Sequence, residues 1–159
     1  MALRGTGAGT HRDMRKIVFP LPILLIFFLF SLSTASAQVQ VRLRAVQATN
    51  VGQNIDPSLR ELHAELGSLF SFTSYRLLRD ENLALTLNRP VSISAHPGRF
   101  MEVTLVAQRR DVAELRIRVV REGRDILNTQ VRLFPGRTVL IGGPRHGEGV
   151  IIYAVSARF

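Results

Sequence analysis

The segment Glu114-Leu115-Arg116-Ile117-Arg118-Val119 and its successor Leu127-Asn128-Thr129-Gln130-Val131-Arg132-Leu133 carry the reading that decides the fold. In the first, Leu115, Ile117 and Val119 alternate with Glu114, Arg116 and Arg118; in the second, Leu127, Thr129, Val131 and Leu133 make a matching row. Successive side chains of a strand point to opposite faces, so a period of two describes a strand with one face in a core and one in water. Between the two segments, Glu122-Gly123-Arg124-Asp125 supplies the turn chemistry of an antiparallel pair.

Working outward, the same rhythm recurs. Residues 38–48 alternate Val39, Val41 and Leu43 with Gln40, Arg42 and Arg44, and segments 72–79, 83–88, 91–95, 100–108, 112–121, 126–134, 138–141 and 150–157 also read as strands. Asp80-Glu81-Asn82, Arg89-Pro90, His96-Pro97-Gly98, Arg109-Arg110-Asp111, Pro135-Gly136 and Gly142-Gly143-Pro144 punctuate them as turns. One segment follows another period. After a loop over 50–55, Asp56 is an N-cap carboxylate and Pro57 a first helical residue, where a missing N–H costs nothing. Leu59, Leu62, Leu66 and Leu69 then fall on one helical stripe, and Gly67 reads as the C-terminal stop. The expected fold is mainly β, an antiparallel β-sandwich or barrel-like sheet with one amphipathic helix near the mature N-terminus.

The chain opens differently. Arg4, Arg12, Arg15 and Lys16 precede an apolar run over 17–32, and Ala35-Ser36-Ala37 follows it. A basic leader, an apolar run and small residues at a peptidase site form the three parts of a secretory signal peptide. A spanning helix needs roughly 20 apolar residues, whereas this run is shorter and carries Pro20 and Pro22. Cleavage after Ala37 is the expectation, with a retained anchor as its rival. Residues 1–37 are read as the signal peptide and 38–159 as a single mature domain, exported to the periplasm or cell envelope.

Removing 37 of 159 residues leaves 122, enough for a real core. Cysteine is absent, so packing rather than disulfides must stabilise it. The mature part keeps 17 of the 21 basic residues once Arg4, Arg12, Arg15 and Lys16 are gone, and 11 of the 12 acids once Asp13 is gone. All 17 are Arg, whose planar fork suits carboxylates and phosphates. Arg42 and Arg44, Arg116 and Arg118, and Arg132 would form a basic stripe if their strands were neighbours. The simpler reading is a solvated sheet face with Arg–acid cross-strand pairs.

Catalytic and metal motifs are sparse. Of the mature histidines His63, His96 and His146, none lies in His-Glu-x-x-His, and there is no Gly-x-Ser-x-Gly elbow. Gly142-Gly143-Pro144-Arg145-His146-Gly147-Glu148-Gly149 reads first as a tight connection. A sharper reading makes Arg145 part of an anion site, while His146 and Glu148 lack the third ligand a metal centre requires. No cofactor is expected. The final segment, with Ile151, Tyr153, Val155, Ala157 and Phe159 at every second position, is similar to the terminal strand of outer-membrane β-barrel proteins, but short strands and few aromatics make an ordinary core strand ending the domain the first reading.

Thr138-Val-Leu-Ile-Gly-Gly-Pro-Arg-His-Gly-Glu-Gly-Val-Ile-Ile-Tyr-Ala-Val-Ser-Ala157, together with Leu69-Phe-Ser-Phe-Thr-Ser-Tyr-Arg-Leu-Leu78, resembles small exported bacterial β-rich proteins of uncharacterised function. The resemblance implies a bacterial, periplasmic address and carries over no activity and no site residues. The expected role is a non-enzymatic binding, accessory or assembly module of the cell envelope. Its expected partner is a protein or an acidic envelope polymer rather than nucleic acid, met through Arg145, His146, Glu148, Arg116 and Arg118. A small outer-membrane barrel is the alternative, and an unrecognised enzyme a further one.

Overall fold

The alternation that begins at Gln38 becomes the first of eight strands in a computed structural model that describes residues 38–96 and 98–159. The signal-peptide reading of 1–37 and Pro97 of the third expected turn lie outside the described residues. Strand β1 spans Val39–Thr49, β2 Ser74–Leu85, β3 Pro90–His96, β4 Arg99–Arg109, β5 Val112–Arg121, β6 Arg124–Leu133, β7 Thr138–His146 and β8 Gly149–Arg158. Between β1 and β2 lie a single 3-10 turn, Pro57–Leu59, and helix α1, His63–Leu69.

Two four-stranded antiparallel sheets result, ordered β2-β1-β8-β7 and β3-β4-β5-β6. They pack as a sandwich, and no closed barrel forms among the described residues. The barrel-like alternative is thereby set aside: β8, whose pattern is similar to a terminal barrel strand, is the ordinary core strand expected first and lies inside the first sheet between β1 and β7. From Ile151 to Val155 both its faces are covered. Ile151, Tyr153, Val155 and Ala157 point into the sandwich with Val39, Val41, Leu43 and Ala45 of β1 and Met101, Val103, Leu105, Leu115, Ile117 and Val119 of the second sheet. Ile152 and Ala154 point the other way, into a second cluster with Val46, Ala48, Tyr75, Leu59, Leu62 and Leu66.

That second cluster explains the helix. Leu59, Leu62 and Leu66 are buried on the outer face of the first sheet, each burial being of order 1.5–3 kcal/mol. Leu69, expected on the same stripe, is 66% exposed. The segment starts as a 3-10 turn and becomes α-helical only at His63; Leu69 is the last residue of that helix, and Leu66 is the last leucine of the stripe that is buried. Nor does Gly67 end the helix, which runs to Leu69. The segment is tied to β2 at both ends. The Asp56 carboxylate accepts from Ser58 N at 2.9 Å and from Ser58 Oγ at 2.6 Å, and its other oxygen accepts from Leu77 N at 3.3 Å. At the far end the Tyr75 hydroxyl donates to the Phe70 carbonyl at 2.9 Å.

Bulges account for two further departures. The expected turn at Asp80-Glu81-Asn82 lies inside continuous strand β2, whose register with β1 shifts between Ala45 and Val46. The shift sends Leu77 to the outer cluster and Leu78 to the sandwich core. Tyr75 and Leu77 thus face outward while Leu83 and Leu85 face inward, which strict alternation forbids. The glycine-rich stretch 142–149 is likewise strand rather than loop. Its turn is only Gly147-Glu148, with Gly147 at φ +58°, the hairpin position that favours glycine. Between Gly142 and Arg145 the register with β8 shifts. Gly143 sits where a Cβ would lie 2.7 Å from the Ile151 carbonyl oxygen and 2.7 Å from the Tyr153 ring. Close approach, and not positive φ, is what requires glycine there.

At that end of the core two polar side chains are enclosed. Arg99 of β4 reaches across the sandwich to donate to the Arg145 carbonyl at 3.1 Å, while its Nη1 and the Tyr153 hydroxyl are buried without a hydrogen bond. Burial pushes the Tyr153 phenol up to about 12, against a smaller opposing effect of Arg99.

Two outcomes follow from this packing. Gly143→Ala costs about 1–3 kcal/mol in chemical denaturation, because the neighbouring ring and carbonyl must give way; tolerance within about 0.5 kcal/mol would refute the close-approach account. Tyr153→Phe is neutral or stabilises by about 1 kcal/mol, since it removes a buried hydroxyl that bonds nothing. In the wild type, stability from this phenol is complete below its unfolded value of about 10 and is lost as pH rises through its folded value of about 12. The Phe variant loses that part of the alkaline decline.

Candidate functional site

Helix α1 and the preceding 3-10 turn cover only half of the outer face of the first sheet. Register defines the rest. One row crosses all four strands as Asn82, Arg42, Ser156 and Thr138, and the row beyond it holds Gln40 opposite Arg158. These residues, with Arg44 of β1, Glu61 from the start of the helical segment and Gly136 from the β6–β7 turn, line an open cleft of about 610 Å³. The apolar half of the face is sealed by leucines, and the polar half stays open.

Arg44 marks the boundary. It points outward by the alternation of β1, but the edge of the helical segment covers it until 4% of its surface remains exposed. Register places Asp80 of β2 directly across from it. That carboxylate is taken: Arg42 Nε donates to Asp80 Oδ1 at 2.9 Å and Arg42 Nη2 to Oδ2 at 2.6 Å, a diagonal two-point pair. Arg44 Nη1 therefore makes no hydrogen bond. Glu61 Oε2 lies 3.7 Å from it, beyond hydrogen-bond reach, on a side chain that is 77% exposed. An exposed carboxylate offers a buried guanidinium little compensation, because water screens their attraction.

Electrostatics at the cleft match this geometry. The Arg42 hydrogen bond holds the Asp80 carboxyl below the usual carboxylate range. Asp80 in turn raises Arg42. Arg44 moves the other way, lowered first by burial and then by the charge of Arg42. Arg42, Arg44 and Arg158 bring three positive charges to one concave surface that also carries amide and hydroxyl groups. Such a surface suits a negatively charged group held by directed hydrogen bonds.

The expected site residues lie elsewhere. Arg145, His146 and Glu148 share the β7–β8 hairpin of the first sheet. Arg145 is exposed, His146 is half-buried, and Glu148 borders a shallow cavity of about 330 Å³ with Arg76 and Gln47. Arg116 and Arg118 lie on β5 in the second sheet. Arg118 pairs with Glu102 at 3.3 Å and Asp125 at 2.9 Å, and Arg116 stands in register between Thr104 and Gln130. Arg132 is bound to Glu114 at 3.0 Å. β5 and β6 adjoin, but Arg42 and Arg44 are on β1 of the other sheet, so the stripe joining all five arginines does not form. Among the described residues no group of three His, Cys, Asp or Glu stands ready for a metal ion. The cleft could not be picked out from spacing alone. Its only sequence signal is that Gln40, Arg42 and Arg44 occupy the outward positions of the first strand.

The boundary position of Arg44 generates a stability test. Arg44→Met keeps the covering aliphatic length and removes a buried charge without a hydrogen-bonded partner, so it is neutral or stabilising by up to about 2 kcal/mol in denaturant titration. A loss above about 1 kcal/mol would show that Arg44 holds the fold together and is satisfied where it lies.

Comparison with protein-family models, with curated proteins and with solved structures returned no match to this chain.

Proposed function

We propose that the chain is an exported, non-enzymatic module of the bacterial cell envelope that acts by binding, and that its binding surface is the cleft on the first sheet. The observation that carries this reading is the half-covered outer face. A face built only to complete a fold would be apolar and sealed or polar and flat. Here a sealed half adjoins a concave half lined by Arg42, Arg44, Arg158, Asn82, Ser156 and Thr138. Concave surfaces with a few convergent polar groups are the usual form of binding sites. Export is supported by the leader, the apolar run and Ala35-Ser36-Ala37 ahead of the domain. Surplus arginine on the mature part supports a partner that carries negative charge.

Fractionation and capture test both halves of the proposal. On osmotic shock of cells expressing the full chain, the domain is released with an intact mass that begins at Gln38. Immobilised mature protein then retains an envelope component, and Ser156→Trp, which fills the cleft from the middle of the sheet, abolishes retention without shifting the melting temperature. Retention of the uncleaved chain in the cytoplasm overturns the export reading. Undiminished capture by Ser156→Trp overturns the cleft as the binding surface.

A further inference from the structure

We infer that the cleft on the first sheet is a site for an oxyanion, a carboxylate or a phosphate, carried on a hydroxylated, sugar-like scaffold. The inference rests on the binding-module reading and names the chemistry that the same cleft would select.

Arg44 is the carrying observation. A guanidinium removed from water needs its N–H groups bonded and its charge balanced, and the energetic penalty is large when either is missing. Arg44 is 4% exposed, its Nη1 has no hydrogen bond, and it lines the cleft. The protein's own acids meet this need only in part: Asp80, Glu61 and Glu65 oppose the charge from nearby, but none bonds Nη1. Asp80, opposite in register, spends both oxygens on Arg42, and Glu61 stays 3.7 Å away on an exposed side chain. An oxyanion entering the cleft would supply what Arg44 lacks.

Neighbouring groups narrow the ligand further. Arg42 is held in one orientation by its two-point bond to Asp80, so its remaining N–H groups are presented to the cleft at little entropic cost. Arg158 adds a third charge at the rim, opposite Gln40. Asn82, Ser156 and Thr138 run beside the arginines in one row across the sheet. Amide and hydroxyl groups of this kind both donate and accept, which matches sugar hydroxyls and wastes their capacity on a bare anion. The volume, about 610 Å³, also exceeds what a single ion would fill and falls in the range of small-ligand sites. Glu61 is the internal competitor, a movable carboxylate that the ligand must displace.

Calorimetric or NMR titration of the purified mature protein tests the inference with three probes: galacturonate, glucose 6-phosphate and glucose. At millimolar concentration at least one of the two charged sugars binds saturably, and affinity falls with added salt, whereas glucose does not bind. Binding of galacturonate alone identifies the carboxylate source, and binding of glucose 6-phosphate alone the phosphate source. Arg44→Met weakens binding by roughly tenfold to hundredfold, the range that charge-assisted hydrogen bonds carry. Arg158→Gln weakens it by roughly two- to fivefold, as an exposed charge does. Glu61→Gln tightens it, an outcome that general destabilisation cannot produce. Arg116→Gln, on the other sheet, leaves it unchanged. The inference is overturned if neither charged sugar binds, if glucose binds as well as they do, or if Arg44→Met and Arg158→Gln both retain wild-type affinity. If the probes fail while Ser156→Trp still abolishes envelope capture, the cleft binds by other chemistry and only the oxyanion assignment falls.

Discussion

Half of the central pair of the first sheet, β1 and β8, must be kept from water on both faces, and the rest of the molecule is arranged around that constraint. Their inward residues are covered by the second sheet in the ordinary manner of a sandwich. Val46, Ala48, Ile152 and Ala154 point away from it and are apolar as well. Left to solvent, they would be a sticky patch on the middle of an exposed sheet. The chain solves this between β1 and β2 with a short helical segment whose leucines seal the patch. Asp56 and Tyr75 then fasten the ends of that segment to the edge strand beneath it.

A cover of this length protects part of a four-stranded face, and the cleft is what it leaves. Where the cover stops, the outward positions turn from Val46 and Ala48 to Arg44, Arg42 and Gln40. The boundary residue inherits a conflict, because its stem is buried as an apolar residue would be while its head remains charged. Asp80 could have resolved the conflict from across the ladder. Its diagonal bond to Arg42 instead fixes one arginine and leaves the other short of partners. The recognition chemistry of the cleft thus follows from the same packing that completes the fold.

Charge elsewhere has a different character. On the outer face of the second sheet, Arg118 and Arg132 are matched by Glu102, Asp125 and Glu114 on adjoining strands. On edge strand β2, Arg79 pairs with Glu81 at 3.1 Å on the inward side, a placement of charge that discourages edge-to-edge association. Solvated pairs of this kind contribute little to stability and keep a sheet surface soluble. A net positive composition therefore says less about binding than the location of Arg44, buried beside the cleft and without a hydrogen bond at Nη1.

Period-two patterning was enough to determine that residues 38–159 are β-rich and antiparallel, because the inward rows of β1, β5 and β6 follow directly from the geometry of an extended chain. The amphipathic segment after Asp56-Pro57 was legible for a similar reason, as a local period and a local cap. The readings failed wherever register intervened. Asp80-Glu81-Asn82 has turn composition but belongs to a strand, since Arg42 on the neighbouring strand satisfies its carboxylate. Gly142-Gly143 has loop composition but forms a bulged strand against the Tyr153 ring. Leu69 fits the helical stripe in spacing, but it is the last residue of the helix and the burial stops at Leu66. The cleft was the least legible feature, for it depends on which strands are neighbours and on how far a cover reaches. Arg44 is one of 17 arginines in residues 38–159. Only the tertiary structure distinguishes it, because burial, the occupied carboxylate of Asp80 and the end of the helical cover meet there in space and not in sequence.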